Sequence, residues 1–490
     1  MIPAARTLAE WAGGLRAEDV PPRCGTNAAL RVLDTIGCAL AGAREEHVPA
    51  VLGLATRWGG GGPSTIWGSA LTAAPPQAAL ANGALAHGLD FDDTHADSVC
   101  HASAVLVPTV LALAESEHLS GRAILTALVA GYEGMIRIGM AAPGRFHARG
   151  WHATATCGAF GAAVAAGTCL GLDADRLTAA LGIAASMASG VMEFLEDGSW
   201  VKRMHPGWAA QSGIQAAVLA QGGFTGPATA LEGRLGFYRA ALGETPDIAR
   251  HLKNLGTEWE TLRSSFKLYP CCHLNHAYLD AVGGLKRTNA LRADQVAEIE
   301  CLVPAGEVPI VCEPEAAKRR PRTTYDAKFS LAFCVAAALA GDRVGIGAFT
   351  EESIRDPRLL ALADRVRFSI DAASRYPETF PGWVKIRLKD GGVMEAREES
   401  QRGGPDRPIG ADEVMAKFRD NAARVLAPDR VSALERAILG LDHAGDCDRP
   451  FRTLSHLLGT FGPPRSGVQG FRQVRETQGF ACLSLGYLGH

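Results

Sequence analysis

The chain has 490 residues, with 49 Lys and Arg against 52 Asp and Glu, a formal charge of −3. So balanced a charge excludes the basic surface that neutralising nucleic-acid phosphates requires. With 47% hydrophobic and 21% charged residues, the composition is that of a folded globular chain, long enough for about two or three domains.

In chain order, residues 1–14 lack the basic-then-apolar pattern of a secretory signal, and Glu10 interrupts them early. Residues 26–43 carry apolar side chains at Leu30, Val32, Leu33, Ile36 and Leu40, the spacing of a helix face. Stretches 104–117, 123–138, 153–172 and 176–194 follow the same pattern, with Pro108 leaving the start of the first open. Residues 153–172 carry no charge and reach bilayer-spanning length. Their Ala, Gly and Thr predict instead a buried helix packed through small residues, so no membrane is expected. Residues 1–268 therefore read as all-α. After Pro270 the texture changes: 296–303, 366–370 and 384–388 alternate apolar and polar positions, and Asp390-Gly391-Gly392 predicts a hairpin into 393–396. Helical patterns at 327–339 and 356–363 make 269–404 an α+β unit. Beyond Gly403-Gly404-Pro405 the chain reads as helical again over 411–426 and 430–441, and 462–490 has no assignment. The twelve cysteines show neither a CxxC pair nor zinc-ligand spacing, which fits a reducing cytoplasm.

Four segments concentrate acids, bases and cations. The first runs from His87 through Asp90, Asp92, Asp93, Thr94, His95 and Asp97 to His101. On a helix, positions 87, 90, 94, 98 and 101 share one face, which predicts that His87, Asp90, Thr94, Ser98 and His101 project together. The plain alternative for Asp92, Asp93 and Asp97 is solvated capping. The second is Trp151-His152, the last ionisable group before the uncharged stretch, which places His152 in a desolvated setting. A satisfied core histidine is the plain alternative there. The third carries Lys202, Arg203 and His205. The fourth carries Lys267, Cys272, His273 and His276 where the helical part gives way to the α+β unit, a favoured place for ligand clefts. Clustered Lys, Arg and His suit a substrate with several carboxylates. No phosphate loop, dinucleotide fingerprint, nucleophile elbow or HExxH motif occurs, leaving the groups that move protons.

These segments resemble the MmgE/PrpD family, whose members include 2-methylcitrate dehydratase, cis-aconitate decarboxylase and iminodisuccinate epimerase. The likeness rests on HGLDFDDT (87–94) with His101, GYEGMIRIG, GWHATAT, KRMHPGWAAQSG, FKLYPCCHLNH, DAKFSLAF (326–333) and GGPDRPIG (403–410), in family order from about residue 8 to about 445. It implies a large helical-bundle domain assembled from 1–268 and 405–461, a smaller α+β lid domain of 269–404, a site between them, a homodimer, and neither metal nor organic cofactor. Carried over position by position, Asp90, Thr94, His101, His152 and Lys202 are the catalytic candidates; Lys267, Cys272 and His273 are the substrate-binding ones. Cys272 stands where the animal decarboxylase has histidine, Phe333 where it has tyrosine, and His273 where dehydratase-like members often have arginine. The first two departures favour dehydration of a hydroxy-polycarboxylate, of the 2-methylcitrate dehydratase type, over cis-aconitate decarboxylation. Epimerisation of an amino- or imino-dicarboxylate is the alternative within the family.

All of these reactions create or quench carbanion character beside a carboxylate. Lys202 and Lys267 are expected to hold that carboxylate and stabilise the charge, His101 and His152 to transfer the proton, Asp90 to orient a histidine or raise its basicity, and Thr94 to hold substrate. Two remoter readings are a Mg²⁺-dependent prenyl-diphosphate enzyme using Asp92, Asp93 and Asp97, and a non-catalytic carboxylate-binding protein.

Overall fold

The computed structural model describes residues 2–443 and Leu457, so the tail 462–490 and most of 444–461 lie outside the described residues. The chain is mainly helical, with a small mixed sheet. Helices α1 (Ala4–Gly14), α2 (Pro22–Gly42), α3 (Val48–Gly59), α4 (Pro75–His87), α5 (Ser103–Glu117), α6 (Gly121–Met140), α7 (Ala153–Cys169), α8 (Ala174–Ala184) and α9 (Val201–Gln221) succeed one another. A proline at the first position of α2 and of α4 supplies a preset φ where no N–H is needed. α7 is buried from Ala153 to Gly167, wrapped by α6 and α9. Its 17 residues fall short of a bilayer span. α6 has the length and apolarity of one, and 89% of that stretch is buried inside the protein.

Glycines bring two of these helices into backbone contact. A Cβ on Gly207 of α9 would lie 2.0 Å from the Leu80 carbonyl of α4, and one on Gly83 would lie 2.6 Å from the Gly207 Cα. That contact sets the start of α9, with Lys202, beside the end of α4, with His87.

The later part holds α10 (His276–Asn289), α11 (Leu331–Ala340) and four strands: β3 (Val296–Val303), β4 (Val366–Ile370), β5 (Gly382–Leu388) and β6 (Val393–Glu398). They pair in the order β4-β3-β5-β6, with β3 parallel to β4 and antiparallel to β5. The hairpin at Asp390-Gly391-Gly392 joins β5 to β6 as the sequence predicts. α12 (Ala411–Ala422) and α13 (Pro428–Leu439) return to the helical part, and α12 packs on α2. One apolar core accordingly runs from Ala4 to Trp259 and resumes from Phe418 to Leu441; a second runs from Cys271 to Leu388.

Several expectations are corrected. The first half is not all-α: the glycine-rich stretch after α3 forms β1 (Gly60–Thr65), paired antiparallel with β2 (Thr72–Ala73). The helix expected over 176–194 ends at Ala184. Residues 185–193 turn back instead, held by His152 N–H donating to the Gly190 carbonyl and Met192 N–H donating to that of Gly150, each 2.9 Å. Gly190 has φ +107° there, which a helix does not allow. The stretch 327–339 is split at Phe329, and the Ser330 hydroxyl caps α11 by accepting from Phe333 N–H. The helix face predicted across 87–101 does not exist: α4 stops at His87, and 88–102 is an irregular loop with Asp90 and Val99 both at φ +54°.

Candidate active site

The loop after α4 is the centre of the site, and its odd backbone has a chemical cause. Asp90 adopts the left-handed region, which Asp tolerates better than most residues. Its buried carboxylate Oδ1 accepts from Lys202 Nζ at 2.7 Å and lies 3.2 Å from Lys267 Nζ, which also donates to the Asp90 carbonyl at 3.1 Å. Lys202 projects from the first turn of α9, where the helix dipole disfavours a cation, so the carboxylate offsets that penalty. Burial pushes Asp90 up, but the two ammonium groups outweigh it and hold the carboxyl well below its usual range. Asp90 therefore binds lysines rather than orienting a histidine, so that half of its expected role fails, while its charge still works to raise the His87 pKa against burial. The carboxylate beside a histidine is Asp92, whose oxygens lie 2.8 and 2.9 Å from His87 Nδ1.

Lys267 arrives on an extended segment laid against the same loop. Thr94 and Ser265 exchange backbone hydrogen bonds of 3.1 and 2.7 Å, and Phe266 N–H donates to the Gly403 carbonyl at 2.9 Å. Gly403 has φ +92°, and a Cβ on it would lie 2.2 Å from the Phe266 carbonyl, so only glycine fits. Next along the chain, Cys272 N–H donates to the Lys328 carbonyl at 3.0 Å. Lys328 Nζ donates to the carbonyls of Leu89 (2.9 Å) and Pro270 (2.8 Å), tying the loop after α4 to the second core. Burial pushes Lys328 down to about 8.

The imidazoles converge from three elements. His101 Nδ1 lies 2.8 Å from the Asp93 carbonyl and 3.0 Å from Thr94 Oγ1. A carbonyl only accepts, so Nδ1 carries the hydrogen and Nε2 keeps a free lone pair. The His101 backbone N–H donates to Thr154 Oγ1, fastening it to α7. His152, immediately before α7, has Nδ1 3.0 Å from Nδ1 of His205 on α9. The ring centroids of His87 and His101 are 4.9 Å apart, and His152 is 6.0 Å from each.

Burial, then the neighbouring lysines, pushes the pKa of His101 well below its ordinary value; for His152 and His273 burial is followed by a neighbouring imidazole, His205 and His276 respectively. His147 falls to about 4 and His205 to about 3, chiefly through burial. Burial pushes the Cys272 thiol up to about 12. At neutral pH the imidazoles and the thiol are uncharged, and the lysines supply the positive field.

Asp90, Thr94, His101, His152, Lys202, Cys272 and His273 line one cavity of about 50 Å³. Lys267 does not line it; it is fully buried behind Asp90. Neither ring nitrogen of the buried His273 has a hydrogen-bond partner among the described residues. Other wall residues, among them His147, Met192, Phe194, Phe329, Tyr376 and Phe380, were not read from sequence. Phe333 does not belong to the wall. It is buried against Phe349 in the second core, which weakens its use as a sign against decarboxylation. Larger clefts of about 380 Å³ (around Pro227 and Phe237) and about 560 Å³ (between Lys286 and Lys417) gather no set of converging imidazoles.

The aspartates of a diphosphate-binding enzyme are not assembled. Asp92 faces His87, Asp93 accepts from Tyr132 and the Ser103 N–H, and Asp97 pairs with Arg263.

Comparison with known proteins agrees with this architecture. The MmgE/PrpD N-terminal domain model matches residues 6–249 and the C-terminal domain model matches 269–443. A cis-aconitate decarboxylase of Aspergillus terreus is 28% identical over 471 residues, covering 90% of this chain and 93% of the relative. A cis-aconitate decarboxylase-like protein of Aspergillus oryzae is 27% identical, covering 90% and 94%. The cis-aconitate decarboxylase of Homo sapiens is 26% identical, covering 92% and 93%.

Proposed function

The chain belongs to the MmgE/PrpD family, and on that premise we propose that it is a cofactor-independent lyase that removes carbon dioxide from a cis-aconitate-like tricarboxylate. The observation that carries this reading is the mixed wall of one cavity: an ammonium group and imidazoles together with Met192, Phe194, Ile310, Phe329 and Phe380. Lys202, backed by Asp90 and Lys267, holds a carboxylate that stays. A second carboxylate set against the aromatic side chains loses hydration, which costs an anion much and neutral carbon dioxide little. The C–C bond to that carboxylate breaks, its electron pair becomes a new C=C as the original double bond shifts, and one proton adds at the far carbon. His101 delivers that proton from Nε2, with Nδ1–H anchored on the Asp93 carbonyl. The imidazoles are neutral in the empty site, so the proton enters with the polyanionic acid, whose charge raises the affinity of His101 for it.

A pocket of about 50 Å³ holds a few water molecules. Small-molecule sites span about 300–1,000 Å³. We propose that the pocket widens to load substrate, with residues 269–404 moving relative to the helical core.

The dehydratase reading stands second, favoured by the free lone pair on His101 Nε2, which also suits proton abstraction from a hydroxy-polycarboxylate. Incubation with cis-aconitate and, separately, with 2-methylcitrate, followed by proton NMR in D₂O and by carbon dioxide release, separates them. Decarboxylation predicts carbon dioxide and a methylene-substituted dicarboxylate. Unchanged cis-aconitate with water lost from the hydroxy acid rejects it, and deuterium exchange without any new unsaturation points to the epimerase.

For the homodimer we propose the outer face of α9, where Val201, Trp208 and Leu219 are exposed at helical spacing beside Trp200 and Val218. Sedimentation of a dimer that Trp208→Glu dissociates supports this face; a wild-type monomer rejects it.

A further inference from the structure

His87 has no part in the reaction proposed above, yet it is fully buried and its Nε2 has no hydrogen-bond partner among the described residues. An imidazole nitrogen left bare in the interior is costly unless something else uses its lone pair. One ring nitrogen from each of His87, His101 and His152 lies within 4.8 Å of the other two. We propose that these three imidazoles form a site for a borderline divalent metal ion, Zn²⁺ foremost, and that its occupation silences the enzyme by taking the lone pair of His101.

The rear nitrogens argue for this. His87 Nδ1 is turned to the carboxylate of Asp92, His101 Nδ1 to the main-chain carbonyl of Asp93, and His152 Nδ1 to the ring of His205. Metal-bound histidines characteristically donate their other N–H to such groups, which fixes the tautomer and aims the free nitrogen. Three imidazoles and one open position are the ligand set of a tetrahedral ion with Zn–N about 2.0–2.1 Å, and nitrogens lying within 4.8 Å of one another would close in around it. Thiolates, which would compete for Zn²⁺, are absent from this triad. Lys202 and Lys267 oppose a cation electrostatically. Two carboxylates offset them: one ligand atom from each of His87, Asp90 and Asp92 also lies within 4.8 Å of the others.

Binding is independent of which acid the enzyme turns over, and its test reads the metal itself. Co²⁺ is titrated into chelator-treated full-length protein while visible absorption is recorded, and Zn²⁺ is titrated by calorimetry. One equivalent of Co²⁺ giving tetrahedral d–d bands without thiolate charge transfer is the expected result. Asp92→Asn, which removes the partner of His87 but none of the three ligands, should weaken binding by about 10–100-fold. His87→Gln should abolish the one-equivalent signal, with circular dichroism confirming that each variant is folded. No stoichiometric binding, a thiolate spectrum, or full binding by folded His87→Gln overturns the proposal. A protein that binds one Zn²⁺ yet turns over its acid at the metal-free rate overturns the silencing and leaves the lyase reading intact.

Discussion

Replacing Asp90 by Asn probes the centre of the site with nearly constant volume. Its carboxylate lies 2.7 Å from one buried ammonium and 3.2 Å from another. At an effective dielectric of about 20, those separations correspond to gross attractions of about 6 and about 5 kcal/mol. Most of that repays the cost of burying the ions, so the measurable quantity is what happens when one partner is removed: about 3–5 kcal/mol, because an uncompensated charge stays behind. Asp90→Asn leaves two such charges and is expected to lower the unfolding free energy by at least that amount. Lys202→Met leaves Asp90 paired with Lys267 and should cost far less. The double variant Asp90→Asn, Lys202→Met strands one ammonium rather than two, so it should be more stable than Asp90→Asn alone. Urea unfolding at pH 7.5, followed by far-ultraviolet circular dichroism, gives all four corners of the cycle. The reasoning fails if the double variant is the least stable of the four, or if Asp90→Asn unfolds at the wild-type urea concentration.

Other outcomes follow from the same geometry. His101→Gln should lower kcat by about 10²–10⁴-fold while far-ultraviolet circular dichroism stays unchanged. The free-enzyme imidazoles have depressed pKa values, so a reaction that needs only an imidazolium gains kcat/KM as pH falls from 8 towards 6, whereas dehydration, needing base and acid, gives a bell. For stability the sign is set by His147 (about 4) and His205 (about 3) against an ordinary 6.5: the unfolded chain binds these protons first, so melting temperature should fall once pH drops below about 6.5, and a profile flat down to pH 5 contradicts the burial. Gly207→Ala drives a methyl group into the Leu80 carbonyl; thermal melts should show a loss of about 1–3 kcal/mol or more, with reduced kcat as α4 and α9 separate.

The regular elements were legible because their apolar periods are strong. β3 alternates Ile299, Cys301 and Val303 inward, and α7 is small or apolar at every position. The loop after α4 was misread because the spacing of His87, Asp90, Thr94 and His101 imitates a helix face. What breaks the helix is Asp90 in the left-handed region, stabilised by Lys202 and Lys267, which lie 112 and 177 residues away and leave no local mark. The identities of the candidate residues came from family motifs, and the structure gathers seven of them around one cavity with Lys267 just behind. Their partners were not legible. That Asp92 rather than Asp90 meets a histidine, and that Tyr376 and Phe380 close the wall, depends on contacts between distant segments.

Lys417 of α12 pairs with Asp34 of α2 at 2.8 Å and donates to the Phe91 carbonyl at 2.7 Å. Lys417 and Phe91 are 326 residues apart, so at about 5–20 residues per second a ribosome needs roughly 16–65 s to make one after the other. Throughout that interval the nascent helical half has an open groove along α2, where Gly37 awaits the ring of Phe418, and a buried-type carboxylate, Asp34, without its Lys417 partner. The helical unit is thus begun before the α+β unit and completed after it, so its apolar groove stays uncovered while residues 269–404 are made.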